Sequence, residues 1–452
     1  MVRKPEKPIA AGSVVHVHDK DRKLVGSGFY NPRTDLALRV FSGQAIKNPA
    51  EHFTKALDEA LHLRERTLGL TEVTNAYRVV HSEGDGFPGL ILDRLGDAFV
   101  AQVHVLGTFL QMETLGERLR ELHPRCKLVM LQDADSAQKE GMERIGAPAP
   151  VSVEVKEHGI RYAVQAGGGH KTGFFADQRD NRMLVRELAR GKNVLDLCCN
   201  SGGFAMSAAA GGAKSVRAAD LDEEMVAQTI DNAARNGLKM KVEHADAFDL
   251  LRDLQPDVHD LVVLDPPKWV KSRDEMEQGL ARYRDLNRLA LQKVKRGGLV
   301  VTCSCSGSVD EGSFLRMLDE ASAHAGRSAR VLMMRGAGPD HPMALDCPQT
   351  RYLKVAVLQV RDCTNSTRCS RRASWSRSRR GRRRRCAVRR CSRRSSSIKA
   401  RTRCCSSCAP RRCASTRARS RSPAALRTTT TSTPRRARCA RRMRRSARNE
   451  AA

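Results

Sequence analysis

The chain has 452 residues, enough for two or three domains, and a formal net charge of +31 that would point to nucleic acid if it were spread evenly. It is concentrated instead: from Arg361 onward there are 32 Lys and Arg against two acids, Asp362 and Glu450, leaving 49 basic and 48 acidic residues before them. A nearly neutral body excludes a polycation that holds RNA by charge alone, and no apolar run approaches the roughly 20 residues of a membrane-spanning helix.

The amino terminus, MVRKPEKPIAAG, has no apolar leader, so a cytoplasmic protein is expected. Residues 12–42 alternate β-prone runs with turns in GSVVHVHD, KLVGSGFYNP and LALRVFS, a β unit too small to be a comfortable domain. Phe53, Ala56, Leu57, Ala60 and Leu61 then recur at helical spacing, predicting a helix from about residue 51 to 68. From Ala76 the stretch YRVVHSEGDGFPGLILDRLGDAFVAQVHV reads as strands joined by turns. A helix over 110–122, a strand over 127–131 and a β stretch over 151–163 complete a second, α+β unit. The expected division is 1–70, 71–165, 166–361 and a tail, 362–452.

After Gly191 strands and helices alternate. Strands are predicted at 193–197, 215–220, 241–245, 260–265 and 299–304, with helices at 203–210, 223–236, 274–294 and 310–325. This pattern predicts a doubly wound, mostly parallel α/β sheet. RVLMMR and YLKVAVLQV, separated by GPDHPMALDCPQT, read as an antiparallel edge pair that brings the sheet to seven strands.

The tail has one lysine, Lys399, and no apolar period, so it cannot bury a core and is expected to be disordered. One reading makes it an arginine arm for phosphate backbone. The other, GC-rich DNA read in a shifted frame, is favoured by nine of the fifteen cysteines falling there and by the abrupt change after Val360.

The body holds six cysteines, Cys126, Cys198, Cys199, Cys303, Cys305 and Cys347, with no CxxC and no His cluster at zinc-ligand spacing. Neither a metal site nor a disulfide framework is expected. Chemistry gathers instead at the strand ends, where open α/β sheets bind ligands. These carry Asp196 with NSGGF behind it, Asp220 with Asp222, Asp246, Asp265 with PPK, and CSCSG. Gly202 and Gly203 let backbone approach a ligand, although the spacing is not G-x-G-x-x-G. Asp220 is placed to accept from two ribose hydroxyls, or simply to cap a helix. Together Asp196, Gly202, Gly203, Asp220 and Asp246 resemble the S-adenosylmethionine site of class I methyltransferases.

Cys303 and Cys305 fall on one face of a strand. Cys303 lies inside the apolar run and reads as core, whereas Cys305 stands where the strand opens into SGS. A thiolate there can add to carbon 6 of cytosine and make carbon 5 nucleophilic toward a methyl donor. Asp265 is the candidate hydrogen-bond partner near N3 and the exocyclic amine. The prolines of DPPK form a rigid wall for a flat base, and Lys268 is placed to contact phosphate or lower the thiol pKa. A paired target would have to be flipped out, so folded RNA with exposed loops is the easier substrate.

SEGDGFPGLILDRLGD at 82–97, GGGHKTGFFADQRDNR at 167–182, LDLCCNSGGFA, VVLDPPKWV, VTCSCSG and HPMALDCPQTRYLK resemble the bacterial large-subunit ribosomal RNA cytosine-C5 methyltransferase family. The resemblance implies an amino-terminal PUA domain, a central α+β domain and a class I domain that uses S-adenosylmethionine on ribosomal RNA. It implies cofactor contacts from Lys171, Thr172, Gly173, Gln178 and Arg179, and from Asn200, Gly202, Gly203 and Phe204 of NSGGF, with Cys305 as nucleophile. Basic residues Arg161, Lys171, Arg179 and Arg182 are expected to carry RNA contacts.

The chain departs from that pattern by beginning late, so a truncated PUA unit is expected, and by a tail that has no counterpart. Like the family it resembles, it has no second cysteine beside DPPK, where other cytosine-C5 RNA methyltransferases place one, which leaves the base for the carbon 5 proton unassigned. Methyl transfer to a guanine nitrogen and a noncatalytic RNA-binding role are the alternatives. Nicotinamide redox chemistry is disfavoured by NSGGF. Which nucleotide is modified and the oligomeric state stay open.

Overall fold

The structure is a computed structural model that describes residues 8–168 and 172–362; Lys171 and the Arg-rich tail lie outside the described residues. β1 (Ser13–His18), β2 (Leu24–Tyr30) and β3 (Leu38–Ser42) form an antiparallel three-stranded sheet. α1 (Pro49–His62) follows, capped by the Asn48 side chain, which accepts from the Glu51 N–H. Its face of Phe53, Leu57, Ala60 and Leu61 is buried, as the helical spacing requires. The α-helix stops short of residue 68: a π-helical turn, Leu63–Thr67, swings Arg64 inward to bind both oxygens of Asp85 at 2.6 and 2.8 Å. Gly69, at φ 60°, then ends the segment.

β4 (Ala76–His81), β5 (Leu90–Leu95) and β6 (Ala98–Val103) form an antiparallel meander. Then come α2 (Leu106–Phe109), α3 (Met112–Leu122), β7 (Lys127–Leu131), parallel to β6, and α4 (Ala134–Glu140). The β stretch expected over 151–163 is a hairpin of β8 (Val151–Glu157) and β9 (Ile160–Ala166). His158 and Gly159, at φ 47° and 83°, make the tight left-handed turn between them.

α5 (Arg179–Leu188) leads into β10 (Asn193–Leu197), α6 (Gly203–Ala210), β11 (Ser215–Asp220), α7 (Glu223–Arg235), β12 (Lys241–His244) and α8 (Ala247–Asp253). β13 (Leu261–Leu264), α9 (Met276–Lys293), β14 (Leu299–Ser304), α10 (Glu311–His324), β15 (Arg327–Arg335) and β16 (Lys354–Asp362) complete the fold. The seven strands run in the order β12-β11-β10-β13-β14-β16-β15, with β16 antiparallel to both its neighbours. Alternate residues bury opposite faces. Leu195, Leu197, Val262, Leu264 and Val300 pack on α8, α9 and α10, while Val194, Val263, Val301 and Cys303 pack with Leu184, Val185 and Phe204 of α5 and α6. Strand order reverses between β10 and β13, and it is beyond the carboxyl ends at such a reversal that an open α/β sheet receives a ligand.

Candidate functional site

Residues 197–203, which leave β10 for α6, are bent by three left-handed residues, Cys198 at φ 60°, Asn200 at φ 49° and Gly202 at φ 84°. Two of the three are not glycine, a strained backbone that its surroundings must hold. Asp220 does so from the end of β11: its carboxylate accepts from the Asn200 N–H at 2.7 Å and from the Asp222 N–H at 3.0 Å. Thr229 of α7 donates to the Asn200 carbonyl at 2.7 Å. A Cβ on Gly202 would stand 2.6 Å from Thr229 Cγ2, so only glycine fits there.

Asp196, the penultimate residue of β10, is fully buried. Oδ2 accepts from the Ala205 N–H at 2.9 Å, and Oδ1 has no hydrogen-bond partner among the described residues. Burial pushes this carboxyl well above its ordinary range, with Asp265 and Asp220 adding to the effect. Asp246 at the end of β12 caps α8, accepting from the Phe248 and Asp249 N–H groups. Asp220 keeps spare lone pairs, since each oxygen accepts a single backbone N–H. Four carboxyl groups on one rim suit a ligand bearing a sulfonium, an ammonium and ribose hydroxyls, and the buried Asp196 Oδ1 leaves polar capacity for such a ligand.

Gln178 stands between this rim and β13. Its amide donates to Asp265 Oδ2 at 3.0 Å and accepts from Asn181 Nδ2 at 2.7 Å, which fixes the direction in which Asp265 presents its carboxylate. Asn181 is held in turn by the Gly336 carbonyl at 3.0 Å. Gly173, at φ 110°, brings the chain within Cβ-excluding distance of the Gln165 carbonyl. Thr172, Arg179 and Phe204, expected at the cofactor, turn their side chains elsewhere. Thr172 donates to Asp93 of β5 at 2.8 Å, Arg179 binds Asp340, and Phe204 lies in the core beneath the sheet. The expected RNA contacts of Arg179 and Arg182 are corrected as well, because both guanidinium groups are buried in ion pairs, with Asp340 and Glu157 respectively.

Beside Asp265, Pro266 is buried while Pro267 and Lys268 are exposed. The Pro267 carbonyl accepts from the Tyr283 hydroxyl at 3.3 Å, and that hydroxyl lies 3.1 Å from Ser306 Oγ, which also accepts from the Val270 N–H at 3.2 Å. This chain fastens the DPPK turn to the turn after β14, which carries Cys305. Cys303 is completely buried and its thiol is pushed up by that burial. Cys305 is half-buried just past the strand end, within electrostatic reach of Tyr283 and of Lys354 at the start of β16. Lys354 is 4% exposed, and its ammonium donates to the Ser306 and Tyr352 carbonyls at 2.6 and 2.7 Å. Sequence reasoning gave no role to Lys354 or Tyr283; the sole trace was a lysine inside an otherwise apolar strand, YLKVAVLQV.

Sheet order and an acid-lined rim at the strand ends define a class I S-adenosylmethionine-dependent methyltransferase. A family profile described as S-adenosylmethionine-dependent methyltransferase matches residues 127–343, and one described as a PUA-like domain matches residues 1–43. The chain is 34% identical over 364 residues to "Ribosomal RNA large subunit methyltransferase I" of Aeromonas hydrophila, covering 77% of this chain and 91% of that protein. It is 31% identical over 370 residues to the protein of the same name from Escherichia coli, covering 79% and 93%. The chain therefore belongs to the ribosomal RNA large subunit methyltransferase I family. Among solved structures, the methyltransferase SMU.776 in complex with SAH superimposes with a TM-score of 0.67 at 20% identity, over 77% of this chain and 92% of that one. A SAM-dependent methyltransferase from Streptococcus mutans gives 0.65 at 20% identity, over 78% and 93%. At that identity the likeness establishes the fold. Among the described residues no helix is long and apolar enough to cross a membrane, and no cluster of His, Cys, Asp and Glu is suited to a metal ion.

Proposed function

We propose that this methyltransferase acts on large-subunit ribosomal RNA and forms 5-methylcytosine through a covalent adduct at Cys305. The observation that carries the proposal is the half-buried Cys305 at the lip of β14, tied through Ser306 and Tyr283 to the Asp265-Pro-Pro turn. S-adenosylmethionine supplies an electrophilic methyl group when bound. The Cys305 thiolate forms a bond to carbon 6 of cytosine, and the displaced electron pair makes carbon 5 the nucleophile. After transfer, loss of the carbon 5 proton returns that pair to the ring, the carbon–sulfur bond breaks, and the thiolate is restored. Asp265, oriented by Gln178, receives the exocyclic amine and the N3 side of the base. Lys268, exposed beside it, meets phosphate.

In this reading residues 166–361 carry the chemistry, while the β unit within 1–70 and the sheet of 71–165 hold RNA. Asp196, Asn200, Gly202, Gly203, Asp220 and Asp246 line the cofactor, joined by Gly173, Gln178 and Lys171. The test is mass mapping of methylated nucleotides in ribosomal RNA incubated with the protein. Cys305→Ala should abolish 5-methylcytosine together with a trapped adduct on RNA carrying 5-fluorocytosine, whose fluorine cannot leave as a proton does. Cytosine methylation that survives Cys305→Ala removes the thiol from the chemistry, and a product on guanine nitrogen removes cytosine.

A further inference from the structure

We propose that Lys354 is the positioning residue that keeps the Cys305 sulfur in its thiolate form, an inference that rests on the nucleophilic role given to Cys305 above. Lys354 opens β16 and pairs across the ladder with Ser304, which places its side chain beneath the turn that follows β14. Its ammonium is buried, and the partners it reaches are two neutral carbonyls, those of Ser306 and Tyr352. Among the described residues no carboxylate forms an ion pair with it. A buried cation without a counter-ion is costly, and the structure must offer negative charge nearby or leave that cost unmet.

The candidate is the sulfur. Of the groups around Lys354, Cys305 contributes most toward keeping the ammonium charged and Asp310 comes next, while Arg351 and Lys268 oppose it. Tyr283 of α9 interacts electrostatically with the same thiol, and Asp265 with its neighbour Cys303. Burial holds the Lys354 ammonium down to about 8, which leaves it charged at neutral pH. Ionisation of the Cys305 S–H sends one proton to solvent and leaves the electron pair and negative charge on sulfur, with Lys354 supplying the compensating charge. The cation also grips the carbonyl of the residue after Cys305, so the same contact holds the turn that carries the sulfur. Because the two groups interact, they titrate as a pair.

Alkylation of Cys305 by iodoacetamide, followed by peptide mass mapping across pH on the full chain, tests this. The wild-type inflection should lie below the value of an ordinary cysteine, about 8.5. In Lys354→Met it should rise by about one unit, slowing alkylation at neutral pH about tenfold, while Lys354→Arg should restore the wild-type profile. A wild-type inflection at or above the ordinary value overturns the inference, as does a folded Met variant that titrates like wild type. Should the Met variant fail to fold, the wild-type inflection decides. Alkylation needs neither RNA nor methyl donor, so its outcome is separate from the Cys305→Ala methylation result on which the proposed function stands.

Discussion

The Tyr283 hydroxyl lies 3.1 Å from Ser306 Oγ, and through that contact α9 sets the spacing between the Asp265-Pro-Pro turn and Cys305. Ser306 Oγ accepts from the Val270 N–H and shares a hydrogen bond with the Tyr283 hydroxyl, which donates to the Pro267 carbonyl. Tyr283→Phe keeps the buried ring and deletes the link. We expect a loss of about 1 kcal/mol in urea unfolding, the usual size for one buried hydrogen bond. The methyl-transfer rate should fall further than the affinity for S-adenosylmethionine, because the bond joins the nucleophile turn to the base wall. Equal losses in both would mean that the hydroxyl serves stability alone.

Gly202→Ala should damage the β10 side of the same rim. The new Cβ meets Thr229 Cγ2 at 2.6 Å and the residue must hold φ at 84°. A left-handed alanine costs roughly 1–2 kcal/mol before the clash is counted. Displacing Thr229 also frees the Asn200 carbonyl that it holds. Calorimetry should therefore show weaker S-adenosylmethionine binding together with a lower unfolding midpoint. Unchanged binding would show that residues 197–203 do not line the cofactor.

Much of this was legible in the sequence for a physical reason. The predicted bounds of β10, β11 and β14 coincide with the observed ones because buried parallel strands are short apolar runs set between amphipathic helices. Asp196, Asp220, Asp265 and Cys305 could be placed on one rim because strand ends in such sheets face the same way. α5 stayed hidden, since its inward side carries Arg179, Asn181 and Arg182 beside Leu184 and Val185, which breaks the apolar period. The polar side chains are buried because Asp340, Gln178 and Glu157, distant in the chain or polar themselves, satisfy them. Lys354 escaped for a related reason: its position under Cys305 depends on the ladder pairing of β16 with β14, which no local pattern encodes.

Stability should fall on mild acidification, with His81 as one source. Burial, with Arg78 and His341 beside it, holds this imidazole down to about 4. In the unfolded chain it takes up a proton near its ordinary value of about 6.5. Between those two values the unfolded state binds more protons than the native one, so stability is complete above the unfolded value and declines as pH drops toward 4. Urea midpoints measured across that window should slope downward toward acid. In His81→Gln the slope should be shallower, with the difference from wild type closing as pH falls. A variant with the wild-type slope would assign the acid sensitivity to other groups.

The buried pair of Arg182 and Glu157 ties α5 to the β8–β9 hairpin, with both guanidinium bonds at 2.6 Å and a further donation to the Phe175 carbonyl at 2.9 Å. Removing one member of such a pair leaves the other charged and unpartnered, which costs about 3–5 kcal/mol. Arg182→Met should accordingly lower stability strongly, and Glu157→Gln alone should lower it too. The double variant should be less destabilised than the two single losses added, because neither charge then remains buried alone. Arg182 also fills the space that Gly203 leaves open: a Cβ there would meet Arg182 Cδ at 2.9 Å. Part of the loss should therefore persist in the double variant as lost packing beneath α6. Additive losses in urea unfolding would mean that the two groups do not interact, and that α5 is held in place by its apolar residues, Leu184 and Val185.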